Sequence, residues 1–216
     1  MIYEKKGLVG IKMTTKEAPD LSATFLATAR MLFEKKGLSI NGTVYEFSEV
    51  EFYLCNSDHP DLYAHQHPEQ LQYGNWYFHR ASTKIGSAYK GGTRKGLDMT
   101  LGDSKPTYCG VLVRSIYASS VGTITGPSCV VDHILKCYGV ASLMELTNDQ
   151  ALSVSSNTRK FHLVDVDHAS TEAVYSGPRV GLTAASHPEW ATKPYRFVRR
   201  YAGVKKDKTK LTKVAS

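Results

Sequence analysis

Two periods of hydrophobic and polar residues alternate along this chain. From Asp20 to Lys36, Leu21, Phe25, Ala29 and Phe33 recur at helical spacing, with Asp20 placed to cap the start and Gly37 to stop it. A helix is expected there. Asn41-Gly42 is a hairpin signal, because both residues tolerate the left-handed backbone that a two-residue turn requires. Beyond it the period falls to two. Thr43 to Leu54 reads as one long strand with Glu49, Glu51 and Tyr53 on one face and Val50, Phe52 and Leu54 on the other.

Shorter apolar runs at Trp76–His79, Leu97–Leu101 and Gly110–Tyr117 read as further strands. Gly126-Pro127-Ser128 opens a second helix over Val130–Cys137, since proline suits the first helical position. Residues 141–175 carry little pattern, and Val180–Phe197 closes the domain. The architecture expected is mixed α and β with antiparallel strands dominant, one domain over residues 1–203 and a basic, flexible tail over 204–216.

Composition narrows the choice of function. Hydrophobic residues make up 42% of the 216 positions, enough for one sizeable core. No apolar run approaches the roughly 18 residues of a membrane span, and Met1 to Lys6 lacks a signal-peptide core, so the cytoplasm is the default expectation. The four cysteines, Cys55, Cys109, Cys129 and Cys137, show no paired metal spacing and are read as small buried hydrophobes. A net charge of +7 favours a polyanionic partner. Part of that charge sits in the tail, and part among Lys84, Lys90, Arg94 and Lys95 beside tyrosine and glycine.

Several residues could carry chemistry. Glu51, on an inner strand face, must be paired, solvated or functional, because a lone buried carboxylate is costly. Arg114, after the apolar Val111-Leu112-Val113, needs an acidic partner. His59, His65 and His67 near Asp58 and Asp61 could chelate a metal, although loop histidines more often bind phosphate, stack on a ring or cap a turn. Gly126 and Ser128 at a helix start could offer N–H groups to a phosphate.

The order of these blocks is more informative than any one of them. Glu51-Phe52-Tyr53-Leu54, His65, Gly74-Asn75-Trp76-Tyr77, Leu97-Asp98-Met99-Thr100, Val111-Leu112-Val113-Arg114 and Gly126-Pro127-Ser128 follow one another. Arg179-Val180-Gly181 and Glu189-Trp190-Ala191-Thr192-Lys193-Pro194-Tyr195-Arg196-Phe197 complete the series. From about residue 20 to 200 the chain resembles the alkyladenine (3-methylpurine) DNA glycosylase family.

The resemblance implies a curved, mainly antiparallel sheet flanked by helices, with a protruding β-hairpin. It implies a monofunctional enzyme that flips a nucleotide out of double-stranded DNA and hydrolyses its N-glycosidic bond. The expected product is an abasic site for downstream processing enzymes. No cofactor or metal is implied, and the protein would act as a monomer. Glu51 matches the general base; Arg114 and the Val180 carbonyl match groups that hold the attacking water. Tyr53 and His65 match residues that sandwich the flipped base. His79 stands where the family has an aromatic ring, and Asp98 where it has an asparagine screening the base edge.

On this reading Tyr89, Lys90, Arg94, Lys95, Gly126, Ser128, Lys193 and Arg196 are expected at the DNA, with Tyr89 or Arg94 at the hairpin tip. The family's Thr-Pro-Arg-Asn run is missing, and the hairpin is longer. A pocket with histidine at 79 and aspartate at 98 suits either an alkylated purine or a bulky, polar base such as a hypermodified phage cytosine. The second substrate would imply defence against foreign DNA. The alternatives are a catalytically idle nucleic-acid binder and a metal-dependent nuclease built on the histidine loop.

Overall fold

The structure is a computed structural model that describes residues 21–103, 106–148, 152–155, 161–167, 172–185 and 187–215. Helix α1 (Leu21–Lys35) buries Phe25, Thr28, Ala29, Leu32 and Phe33 on the stripe its periodicity marks out. It runs directly into strand β1 (Lys36–Ile40), which turns back at Asn41 and Gly42 (φ 47° and 84°) into β2 (Thr43–Cys55). The expected Asp20 cap lies outside the described residues. Strands β3 (Asn75–Phe78), β4 (Leu97–Thr100), β5 (Tyr108–Ala118) and β6 (Gly122–Thr125) follow, then α2 (Pro127–Tyr138).

The weakly patterned stretch contributes α3 (Leu143–Thr147), β7 (Leu152–Ser153), β8 (Phe161–Asp165) and β9 (Tyr175–Gly177). Short helix α4 (Pro188–Ala191), β10 (Arg196–Val198) and β11 (Thr212–Lys213) end the chain. The protein is thus a single α+β domain on a mainly antiparallel curved sheet, with eleven strands among the described residues.

Every strand pair is antiparallel, and the main path runs β11-β9-β10-β2-β5-β4-β3-β7. The long β2 organises it. Residues 43–46 pair with β1 and residues 49–51 with β10, while β5 covers the other edge from Glu46 to Cys55. Val50, Phe52 and Leu54 are fully buried in the main core with Phe25 and Phe33 of α1 and Val130, Val131 and Ile134 of α2. Phe25 stacks on Phe52 at 4.6 Å, where offset aromatic contact adds to area burial. One face of β2 is therefore core, which leaves the opposite face for polar chemistry.

The segment after residue 203 corrects the expectation of a flexible tail. Thr212 and Lys213 pair with Ser176 and Tyr175, Leu211 is buried, and the Lys206 carbonyl accepts from Arg196 Nη2 at 3.0 Å. One apolar anchor and a short ladder hold down a stretch whose lysines alone suggest solvation.

Candidate active site

The register of the sheet lines up the polar face. Glu51 on β2 is opposite Leu112 on β5, Leu112 is opposite Asp98 on β4, and Asp98 is opposite Tyr77 on β3. Residues directly across an antiparallel ladder share a face, and strands lie about 4.8 Å apart. The row therefore sets Glu51 and Asp98 about 10 Å apart with Leu112 between them. In the neighbouring row Tyr53 is opposite Gly110, and Gly110 is opposite Thr100. A Cβ on Gly110 would lie 2.5 Å from Asp98 Oδ2 and 2.9 Å from Gln70 Nε2, so only glycine fits that floor.

Glu51 is fully buried and held from three sides. Its Oε1 accepts the Val180 N–H at 2.7 Å, and its Oε2 accepts the Tyr53 hydroxyl at 2.9 Å and Arg114 Nη1 at 3.4 Å. Burial raises its pKa above the usual glutamate value; Arg114 and the Val180 N–H oppose the rise, and the Glu49 carboxylate adds to it. Burial and the Glu51 carboxylate push the Tyr53 hydroxyl well above its ordinary range. One face of the partly exposed Tyr53 ring is covered by Arg179, whose guanidinium carbon lies 4.5 Å from the ring centre.

Arg179 is itself buried. It pairs with the buried Asp61 and donates to the carbonyls of Phe52 (3.1 Å) and Trp190 (3.2 Å). The pair pins the segment that presents Val180 to Glu51.

The far end of the row is a wall of rings. His65 Nδ1 is hydrogen-bonded to the Tyr77 hydroxyl, which accepts the Arg80 N–H at 3.3 Å. The bond fixes the His65 ring, with the tautomer deciding which of the two partners donates. Burial, with Lys90 nearby, lowers His65 to about 4. His79 donates from Nε2 to Asp98 Oδ1 at 2.8 Å, and the other Asp98 oxygen accepts Gln70 Nε2 at 3.1 Å. Both oxygens of Asp98 are engaged and the residue is buried. It fixes the orientation of His79. Gly96 packs against the flat of the His79 ring, 2.6 Å from where its Cβ would be.

The hairpin tip also differs from expectation. Residues 79–96 join β3 to β4 and fold back on themselves, with Arg80 bridged to Tyr89 and Ala81 N–H bonded to the Ala88 carbonyl at 2.7 Å. The reversal is at Lys84–Ser87, closed by Ser87 N–H to the Lys84 carbonyl at 3.1 Å, with Gly86 at φ +74° as a type II turn needs. Ile85 is at the apex and is 83% exposed. Tyr89 is not a tip residue: its hydroxyl meets Thr147 Oγ1 at 2.9 Å and the Arg80 guanidinium covers its ring. His67 Nδ1 accepts the Glu69 N–H, so its Nε2 donates to the Lys84 carbonyl at 3.2 Å and braces the turn from beneath. His67 is thus structural, and His59 packs on Trp190 at 4.6 Å. Among the described residues no three histidine, cysteine, aspartate or glutamate side chains converge to hold a metal ion.

The basic residues divide. Arg94 and Lys193 are exposed, Lys90 is partly buried, and Lys95 pairs with Asp132. Gly126 gives its N–H to the Arg114 carbonyl at 2.8 Å, and Ser128 Oγ donates to the Gly92 carbonyl at 3.0 Å. Arg196 is only 1% exposed and pairs with Glu49, so it is an internal residue and not a DNA contact.

Fold and site together define a single α+β domain with a row of polar groups laid across one antiparallel sheet. No protein-family model matches the chain. It is 36% identical to "Uncharacterized protein L759" of Acanthamoeba polyphaga mimivirus over 216 aligned positions, which take in 93% of this chain and 98% of that protein. The chain belongs to the family of that viral protein. No helix among the described residues is long and apolar enough to cross a membrane.

Proposed function

We propose that this protein is a monofunctional DNA glycosylase. It extrudes one nucleotide from the duplex and hydrolyses the bond between base and sugar with a water activated by Glu51. The row Glu51–Leu112–Asp98–Tyr77 carries this reading, because it sets a buried carboxylate and a wall of rings at opposite ends of one line across the sheet. A flipped base against Tyr53, His65 and His79 would bring its sugar toward Glu51. There the carboxylate takes a proton from water and stabilises the positive charge that develops on the sugar. Arg114 and the Val180 N–H keep that carboxylate in one orientation. Ile85 supplies an apolar wedge for the gap in the duplex, with Arg94 and Lys193 on phosphates.

The substrate is a modified base, either an alkylated purine or a larger base with a polar substituent such as a hypermodified cytosine. The imidazole at 79, where the resemblance places an aromatic ring, favours the second, and with it a defensive role. Duplexes carrying 7-methylguanine, hypoxanthine, hydroxymethylcytosine or glucosylated hydroxymethylcytosine, probed for alkali-labile sites, test both points. Glu51→Gln should abolish base release, by about two orders of magnitude or more, and leave duplex affinity unchanged. Full activity of that variant, or no release from any duplex by the native protein, would overturn the proposal.

A further inference from the structure

The nearest partner of Arg114 is not Glu51. Its Nε donates to Glu49 Oε1 at 2.8 Å, whereas its Nη1 reaches Glu51 Oε2 at 3.4 Å. Glu49 Oε1 also accepts Arg196 Nε at 2.8 Å, and Glu49 Oε2 accepts Ser115 Oγ at 3.0 Å. Arg196 is clamped in turn by the Lys206 carbonyl. Two carboxylates and two guanidiniums thus alternate in a buried line, Glu51–Arg114–Glu49–Arg196, ending on the C-terminal segment.

A distortion in the sheet makes this line possible. The β2–β5 ladder shifts at Ser48 and again at Arg114, so that Glu49 faces Ser115 and Val50 faces Val113. Consecutive residues of a regular strand point to opposite faces, yet Arg114 and Ser115 both reach Glu49. The bulge re-aims Arg114 toward Glu49 and Glu51.

We propose that Glu49 is a positioning residue for Glu51: it holds Arg114 back, so that the arginine orients the general base without closing a full ion pair on it. A carboxylate gripped by its own guanidinium is a weak proton acceptor, and sharing that guanidinium with a second carboxylate keeps the first one basic. This inference rests on the glycosylase reading for its rate consequences and on geometry alone for its electrostatic ones. The charged and titratable groups facing the pair are Arg114 from β5, Arg196 from β10, Tyr53 on their own strand, and Arg179 behind Tyr53. Asp207 on the C-terminal segment lies within electrostatic reach of Arg196 and Arg114.

Glu49→Gln removes the competing charge and lets Arg114 pair with Glu51. The acid limb of base release from a duplex carrying 7-methylguanine should then move down by about one pH unit, with a lower plateau rate and unchanged duplex affinity. Glu49→Asp, which keeps the charge, should restore the native limb. Independently of catalysis, carboxyl-carbon NMR of glutamate-labelled protein, with Glu51 assigned by its loss in Glu51→Gln, should show Glu51 titrating lower in Glu49→Gln than in the native chain. An unmoved Glu51 midpoint in a variant that melts like the native protein would overturn the positioning role. An unmoved acid limb beside active protein would do the same. If the midpoint moves while the native protein releases no base, the glycosylase reading falls and the positioning role stands.

Discussion

Replacing Asp61 with asparagine is the sharpest test of how the site is held. Asp61 and Arg179 are both fully shielded from solvent, and the guanidinium also feeds the carbonyls of Phe52 and Trp190. Asparagine keeps the size of the side chain but leaves Arg179 charged and uncompensated, with an amide N–H₂ facing its donors. Breaking a buried pair from one side costs about 3–5 kcal/mol. For a chain of this size that corresponds to a fall in Tm of roughly 6–20 °C. Thermal and urea unfolding of Asp61→Asn would measure it. The double variant Asp61→Leu with Arg179→Met should recover part of the loss, because it removes both charges but leaves two carbonyls without their donor. A single variant within about 1 kcal/mol of the native protein would refute the claim that this pair anchors the Val180 segment.

Three other outcomes follow from the geometry. His65 should titrate near the value of about 4 that burial imposes. Because its folded pKa lies below its unfolded one, it should make stability rise with pH between about 4 and 6.5; imidazole proton NMR checks the first point and unfolding at stepped pH the second. Ile85→Ser should slow base release from duplex DNA far more than from single strands, where no gap needs filling; equal losses would remove Ile85 from the duplex. Arg94→Ala combined with Lys193→Ala should flatten the salt dependence of duplex binding by about two units of slope, close to one per lost phosphate contact, and an unchanged slope would place both residues away from DNA.

How much of this was legible depends on the local signal. The two faces of β2 follow from strict alternation, so Glu51 and Tyr53 could be separated from Val50 and Phe52 without a structure. The α1 stripe and the Asn41-Gly42 turn were equally plain. The hairpin apex was not, because Tyr89 and Arg94 stand out chemically while a lone Ile85 before glycine looks ordinary. Its role depends on the backbone bonds that place the reversal at Lys84–Ser87. The burial of Arg196 is not legible either. Whether a charged side chain meets solvent or a partner is settled by a strand far away in sequence, here by Glu49 on β2. Strands β7 and β9 have only two or three residues each, too few to establish a period. The need of Arg114 for an acidic partner is plain from its apolar neighbours, but the shift that delivers it leaves no trace in the hydrophobic pattern.

The offset between β2 and β5 cancels itself. One extra residue on the first strand is answered by one on the second, and the ladder beyond Val50 and Val113 resumes the pairing it had at Phe47 and Ile116. Deleting Ser48 alone would leave the extra residue Arg114 on β5 unanswered, so that the pairing of Phe47 and the residues before it would slip by one or keep a single bulge. Deleting Ser48 and Arg114 together would leave a regular ladder with all its apolar residues still facing inward. The sheet can therefore shed Arg114, the guanidinium shared by Glu49 and Glu51, without losing its regular pairing.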